Sequence, residues 1–321
     1  MQYVNLGDSG LKVSRVSLGS WLTYGSSLDG GGAAPCVGAA LDAGVNVLDT
    51  ADIYNYGEAE RVLGGILPSL NRQHLVVATK AFWPMSDDPN DRGLSRKHLL
   101  ESCEGSLRRL GTDYIDLYQC HRYDPETPVH ETVRAMGDLI GQGKVLYWGV
   151  SCWGAEHIAD ACQIADRLGV PRPISNQPQY NLLTRGIEAE IVPASEQWGL
   201  SQIVFSPLAQ GALTGKYSGG QRPAGSRGAD AQRNLFMDRV LQPDVLARID
   251  GMVALAAELA TTPARLALAW CLRLPNVASV IVGATRPEQV QDNVAAAELT
   301  LPADAVETLE ALFPVGLAPE G

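Results

Sequence analysis

The stretch Val45-Asn-Val-Leu-Asp-Thr-Ala-Asp-Ile-Tyr-Asn-Tyr-Gly-Glu-Ala-Glu60 decides how the chain is read. An apolar run, 45–48, breaks off at a carboxylate, Asp49, and a phenol follows at Tyr54. A short apolar run bounded by Gly44 and a polar turn has the pattern of a buried strand. Asp49 then stands at the carboxyl end of that strand, with Tyr54 on the loop above it. Two more strands end on a reactive side chain: 75–79 runs into Lys80, and 114–120 runs into His121. Asp, Tyr, Lys and His at one end of parallel strands make a proton-transfer group.

Working outward, strand and helix signals alternate along the whole chain. A small hairpin is expected first, from 3–6 and 11–13 around the turn Gly7-Asp-Ser-Gly10. Further strands are expected at 16–18, 145–150, 174–177, 202–205 and 279–282. The spacing predicts helices over 33–43, 58–67, 128–141, 188–198, 244–260, 263–273, 287–297 and 302–313. Two others open at Ser95, a predicted N-cap, to stop at Gly111, and follow Cys152 to stop at Gly169. The segment 209–243 is rich in Gly and Arg and has no periodic pattern, and loops of that length are usually functional or mobile. Eight strands separated by helices, with no linker between them, predict one closed (β/α)8 barrel as a single domain spanning residues 1–321. A doubly wound sheet would need a Gly-x-Gly-x-x-Gly turn after its first strand, and Leu18-Gly-Ser-Trp-Leu-Thr-Tyr-Gly25 is not one.

Composition narrows the class. Of the 321 residues, 45% are hydrophobic and 19% charged, which describes a large core and excludes disorder. A net charge of −11 disfavours nucleic acid and anionic lipid as partners, though an anionic ligand needs only a local cluster of donors. The N-terminus lacks a basic region followed by an apolar one, and no apolar run reaches membrane-spanning length. The six cysteines are scattered without a Cys-x-x-Cys pair. A reduced, cytoplasmic enzyme is therefore expected. No metal site is expected, because His121 has no His-x-His or His-Glu-x-x-His company. Gly211-Ala-Leu-Thr-Gly-Lys216 is one residue short between its glycines for a phosphate-binding loop, and Tyr217 stands where Ser or Thr belongs, which excludes an ATPase.

Several of these segments, taken in order, resemble the aldo-keto reductases. Asp49-Thr-Ala-Asp-Ile-Tyr54, Lys80 after Ala-Thr, and His121 after Tyr-Gln-Cys are similar to that family's four catalytic positions. Gly93-Leu-Ser-Arg-Lys-His98, Tyr147-Trp-Gly-Val-Ser151, Ser206-Pro-Leu-Ala209, Gly215-Lys-Tyr217, Trp270-Cys-Leu-Arg273 and Val282-Gly-Ala-Thr-Arg-Pro-Glu-Gln289 look like one branch. That branch holds the β subunits of voltage-gated potassium channels and their bacterial relatives. Two departures stand out. His121 replaces the Asn of the channel subunits, and Cys152 replaces an Asn that much of the wider family has beside the nicotinamide amide.

The resemblance implies NADPH-dependent reduction of an aldehyde or ketone. Tyr54 would be the acid, with Lys80 stabilising its phenolate, Asp49 holding Lys80 charged and oriented, and His121 orienting the carbonyl oxygen. A free phenol titrates near 10, and Lys80 is expected to lower Tyr54; about two units correspond to roughly 2.7 kcal/mol. The resemblance also places Ser20, Trp21, Ser151, Cys152, Gln177 and Phe205 around the nicotinamide, and Ser206, Pro207, Leu208, Gly211 and Lys216 along the pyrophosphate. The adenosine end falls to Gly283, Thr285, Arg286, Gln289, Asp292 and Asn293. Arg286 at a helix N-terminus suits a 2′-phosphate, hence NADPH over NADH. Trp21, Tyr24, Trp83 and Tyr123 follow strand ends and are expected to wall the pocket for a small carbonyl substrate. Relatives in the branch assemble, so the resemblance implies a homo-oligomer. It leaves open a redox-sensing subunit with slow turnover, and a ketoreductase of nucleotide-linked sugars or phosphorylated trioses. A barrel lyase or isomerase without nicotinamide would leave the Ser206-Pro-Leu208 and Gly283 segments unexplained.

Overall fold

The computed structural model of the chain describes residues 1–224, 226–229 and 237–317. A hairpin of β1 (Tyr3–Asn5) and β2 (Lys12–Ser14) precedes a closed barrel of eight parallel strands. These are β3 (Val16–Gly19), β4 (Val47–Asp49), β5 (Val76–Ala81), β6 (Ile115–Cys120), β7 (Val145–Val150), β8 (Ser175–Asn176), β9 (Ser201–Val204) and β10 (Val277–Val282). Neighbours in the barrel follow chain order, and β10 closes it by pairing Val280, Ile281 and Val282 with Val16, Ser17 and Leu18. The predicted (β/α)8 architecture is what the chain adopts.

Between the strands run α1 (Gly30–Asp42), α2 (Glu58–Ile66), α3 (Arg96–Leu110), α4 (Val129–Gly141), α5 (Ala155–Leu168) and α6 (Ile191–Trp198). The connection from β9 to β10 holds α7 (Met237–Val240), α8 (Pro243–Glu258) and α9 (Pro263–Leu272), and α10 (Pro287–Val294) and α11 (Ala303–Leu312) follow β10. Local chemistry sets their ends. Ser95 caps α3, its Oγ accepting from His98 N at 3.2 Å, and Gly111 ends that helix in the left-handed conformation its missing Cβ permits. Thr262 caps α9 in the same way, with Pro263 in the first turn.

Boundaries moved where capping outweighed periodicity. Helix α1 begins earlier than residue 33 because Asp29 accepts from Gly32 N at 2.9 Å. Before α6 the chain makes a separate 3-10 turn, Gly186–Glu188, so the helix starts at Ile191. The unpatterned segment after β9 is built of single turns, Ala209–Thr214, Ser218–Gly220 and Arg227–Ala229, followed by α7; its residues 225 and 230–236 lie outside the described residues.

The hairpin plugs the N-terminal end of the barrel. Leu6 and Val13 are fully buried and share one apolar cluster with Val47, Val76, Leu117, Ile203 and Ile281. Gly7 N donates to Ser201 Oγ and Ser14 N to Asn46 Oδ1, tying the plug to the strand starts. Among the described residues no single helix is long and apolar enough to cross a membrane. Helices α8 and α9 meet at 93° and sink Ile249, Met252, Leu266 and Trp270 into the core.

Packing is close where the barrel seam meets the mouth. A Cβ added at Gly19 would lie 2.5 Å from Ile281 Cγ2 on β10, and Gly19 pairs in register with Asp49. Ile281 is β-branched and has little freedom to move aside. Gly19→Ala should therefore cost about 1–3 kcal/mol through overpacking; urea unfolding measures this, and an unchanged midpoint would show that the seam yields.

Candidate functional site

The loops at the carboxyl ends of β4, β5 and β6 bring the four predicted residues together. Asp49 ends β4, Lys80 lies in β5 one residue before its end, and His121 follows β6. The side chain of Lys80 is fully buried. A buried ammonium is expensive unless paired and hydrogen-bonded, and this one donates to Asp49 Oδ1 at 2.6 Å and to the Thr50 carbonyl at 2.7 Å. Its third neighbour is Tyr54 Oη at 3.3 Å. The second Asp49 oxygen accepts from Gln177 Nε2 at 2.9 Å. His121 meets the Tyr54 ring edge-on, with centroids 5.7 Å apart, and its Nδ1 is buried without a protein partner.

The electrostatics differ from expectation in one respect. Burial raises the Tyr54 phenol above its ordinary value, and the opposing pull of Lys80 does not overcome it. The expected net lowering is thus corrected: desolvation of a phenolate is the larger effect in this enclosed site. Burial by itself would lower the Lys80 ammonium, but Asp49, with Tyr54, holds it above the usual lysine value. Burial, with Lys80 and Arg122 adding to it, pushes His121 well below its ordinary value, so the imidazole is neutral near pH 7.

Behind Tyr54 lies an acidic pair that sequence reasoning missed. Asp52, fully buried, accepts from Ser102 Oγ of α3 at 2.8 Å and from Ile53 N at 2.6 Å. Its own N–H bonds the Lys80 carbonyl at 3.2 Å. Glu60, also fully buried, accepts from Thr79 Oγ1 and from Arg109 Nε, both at 2.6 Å. These bonds fasten the Tyr54 loop to α3 and β5. A signal was present: Glu60 sits between Ala59 and Leu63 on the buried face of α2, where an unpaired carboxylate would be costly.

The remaining predicted residues ring the same mouth at the ends of β3, β7, β8, β9 and β10. Ser20 Oγ donates to Thr50 Oγ1 at 2.9 Å, and Trp21 is half-buried on the turn after β3. Ser151 Oγ donates to the Gln177 carbonyl at 2.8 Å, with the exposed Cys152 beside it and Phe205 half-buried at the end of β9. Ser206 accepts from Gln210 Nε2 at 3.1 Å, Pro207 is buried, and Leu208 is half-buried. Gly211 leaves room for Lys216 Nζ, which a Cβ would meet at 2.6 Å. Beyond β10, Gly283 is exposed, a Cβ there meeting only Thr23 Cγ2 at 3.7 Å, and Arg286 is exposed at the start of α10. Gln289 Oε1 accepts from Thr285 N at 2.8 Å, and Asn293 is buried. Asp292 is engaged, pairing with Arg265 Nε at 2.8 Å.

Backbone strain gathers in these loops. Leu22, Asn55, Tyr56, Cys152, Ser206, Ala209 and Gln210 are non-glycine residues with φ between 46° and 60°, all at the mouth; Ala260 is the further example elsewhere. Each such conformation costs on the order of 1–3 kcal/mol and persists where the surroundings impose it, commonly at ligand clamps. Hydroxyls, glycines without side-chain bulk, the Lys216 ammonium and the Arg286 guanidinium around a strained rim fit a dinucleotide.

Comparison with known proteins gives the family. The family model described as "Aldo/keto reductase family" matches residues 15–313. The chain belongs to the aldo/keto reductase family. Members of this family are oxidoreductases that generally use NAD(P)H. The chain is 45% identical over 317 residues to a probable voltage-gated potassium channel subunit beta of Oryza sativa subsp. japonica, covering 97% of this chain and 96% of that one. It is 45% identical over 302 residues to a protein of the same description from Arabidopsis thaliana, covering 93% and 92%. A putative subunit of that kind from Schizosaccharomyces pombe is 42% identical over 301 residues, covering 91% and 87%.

The aromatic residues of this aldo/keto reductase divide into two groups. Trp83, 36% exposed, meets the His121 ring edge-on at 6.3 Å. Tyr123 turns away and stacks on His157 of α5 at 3.6 Å. Tyr24 is only 3% exposed and belongs to the apolar cluster with Leu18, Ala33 and Cys36, so its ring is packing where a pocket wall was expected.

The buried pair gives a pH prediction. Burial and the neighbouring Glu60 push Asp52 up to about 7, from about 3.9 in an unfolded chain. Ionising it therefore lowers stability, a cost absent below about pH 4, growing as pH rises, and complete above about pH 7. Asp52→Asn, which keeps the shape and removes the charge, should gain on the wild type across that window by roughly 2–4 kcal/mol. Denaturant unfolding at a series of pH values checks this, and parallel curves would refute it.

Proposed function

We propose that this chain reduces an aldehyde or ketone to an alcohol with NADPH, Tyr54 giving the proton. The observation that carries this reading is the Lys80 ammonium, fixed 2.6 Å from Asp49 and 3.3 Å from Tyr54 Oη beside a neutral His121. A phenol raised by burial stays protonated at pH 7 and can act as the acid. Once its proton has gone to the substrate oxygen, Lys80 stabilises the phenolate left behind. Asp49 prevents Lys80 from losing its charge in the buried site. The neutral imidazole of His121 hydrogen-bonds the carbonyl oxygen and holds it at Tyr54.

The nicotinamide dinucleotide would supply the hydride. Ser151, Gln177 and Phe205 would hold its nicotinamide end, Ser206, Leu208 and Lys216 the pyrophosphate, and Arg286 with Gln289 and Asn293 the adenosine end. The exposed guanidinium of Arg286 at the start of α10 favours a 2′-phosphate. The names of the rice, Arabidopsis and fission-yeast relatives favour a second reading, a dinucleotide-binding channel subunit with slow turnover. Turnover separates the two.

Tyr54→Phe should lose about 10²-fold or more in the rate of aldehyde reduction, while NADPH affinity by fluorescence titration stays within about two-fold. Survival of the rate would remove Tyr54 from the acid's role. Arg286→Ala should weaken NADPH binding about ten-fold and leave NADH binding nearly unchanged; an equal loss for both would disconnect Arg286 from the 2′-phosphate.

A further inference from the structure

Arg122 stands directly after His121 at the rim of the mouth. Its Nη1 donates to the His121 carbonyl at 2.7 Å, and its Cζ lies 5.5 Å from the centre of the Trp83 ring. Trp83 meets His121, and His121 meets Tyr54, each edge-on. The guanidinium is thus one ring away from the place where a carbonyl oxygen would be held. An arginine has five N–H donors in a fixed fork, and a single direct bond to the protein is shown for this one among the described residues.

Several carboxylates at this end of the barrel are bonded elsewhere. Asp49 is paired with Lys80. Asp124 accepts from Leu94 N at 2.7 Å and from Thr127 Oγ1 at 2.7 Å. On the loop after Trp83, Asp88 accepts from Asn90 N, and Asp91 faces His98 Nδ1 at 3.5 Å. Arg122 makes no ion pair with a described carboxylate, yet its charge reaches the site, acting on both Tyr54 and His121. In a chain of net charge −11, which repels anions at long range, a half-buried cation stacked on an aromatic wall and left without a counter-ion is suited to an anionic ligand group.

We propose that Arg122 is a specificity-determining residue that selects carbonyl substrates carrying an oxyanion substituent, carboxylate or phosphate, held against Trp83. The inference rests on the reductase reading and deepens it. It is tested with three aldehydes of one shape: 4-carboxybenzaldehyde, 4-formylphenyl phosphate and the neutral 4-formylbenzamide. The wild type should prefer at least one anionic aldehyde by about ten-fold in kcat/KM, mainly through KM. That preference should shrink as salt rises from about 0.05 to 0.5 M. Arg122→Gln should reduce it to about two-fold or less, and Arg122→Lys should retain part of it. The better of the two anionic aldehydes identifies the oxyanion.

Binding without turnover supplies the second readout. Benzoate or phenyl phosphate, but not benzamide, should change the tryptophan fluorescence of the wild type, and the change should be lost in Arg122→Gln. No anionic preference in the wild type, or a preference that survives Arg122→Gln, would overturn the proposal and leave the reductase reading standing. Reduction of none of the three aldehydes, with oxyanion binding still dependent on Arg122, would sink the reductase reading and keep the anion site. Should Arg122→Gln not fold, the wild-type contrast between benzoate and benzamide and its salt dependence decide the matter.

Discussion

The ammonium of Lys80 is held out of water at the mouth of the barrel, and the arrangement of the site follows from that one burial. Without partners such a group would lose its proton or force the barrel open. Asp49 supplies the counter-charge from the neighbouring strand, and the Thr50 carbonyl supplies a second acceptor. The register fixes this meeting: Asp49 pairs with Ala78, and Lys80 follows two residues later on the same face of β5. What remains of the ammonium's hydrogen-bonding capacity points at Tyr54. Structural necessity and chemical use coincide in one cation.

The site is then stiffened from outside the mouth. Asp52 and Glu60 are two more carboxylates in the interior, bonded to Ser102, Thr79 and Arg109. Their bonds run from the Tyr54 loop into α3 and β5, so the phenol is held by elements that belong to the barrel wall. Two buried acids in proximity raise the pKa of Asp52, a local cost in stability that the barrel tolerates. The left-handed residues at the ends of β3, β4, β7 and β9 add to that cost. Strain and buried charge thus concentrate at one end, while the opposite end is closed by an apolar plug around Leu6 and Val13.

Much of this was legible in the sequence, for physical reasons that differ by element. A parallel barrel buries both faces of its strands, so they read as short apolar runs, and β4, β5 and β6 announced themselves by ending on Asp, Lys and His. Helix ends were legible where a side chain or a glycine made them, as at Ser95 and Gly111. The 3-10 turns after β9 were not, because single turns carry no period. Tyr24 was misread for a related reason: residues on the turn after β3 divide between rim and core, and only packing against Ala33 and Cys36 shows which way the ring goes.

By itself the sequence determined the order of strands and helices, the family, and the set of residues at the strand ends, since these depend on local pattern and on motifs in series. Tertiary structure alone decided the electrostatics. The sign of the Tyr54 shift is a balance between desolvation and a cation 3.3 Å away, and neither quantity exists until the loop closes over the strand. The same holds for Asp52 and Glu60, buried together from different elements, and for Arg122, which pairs with none of the described carboxylates. Charge in a folded chain is a matter of distance and dielectric, and sequence spacing specifies neither.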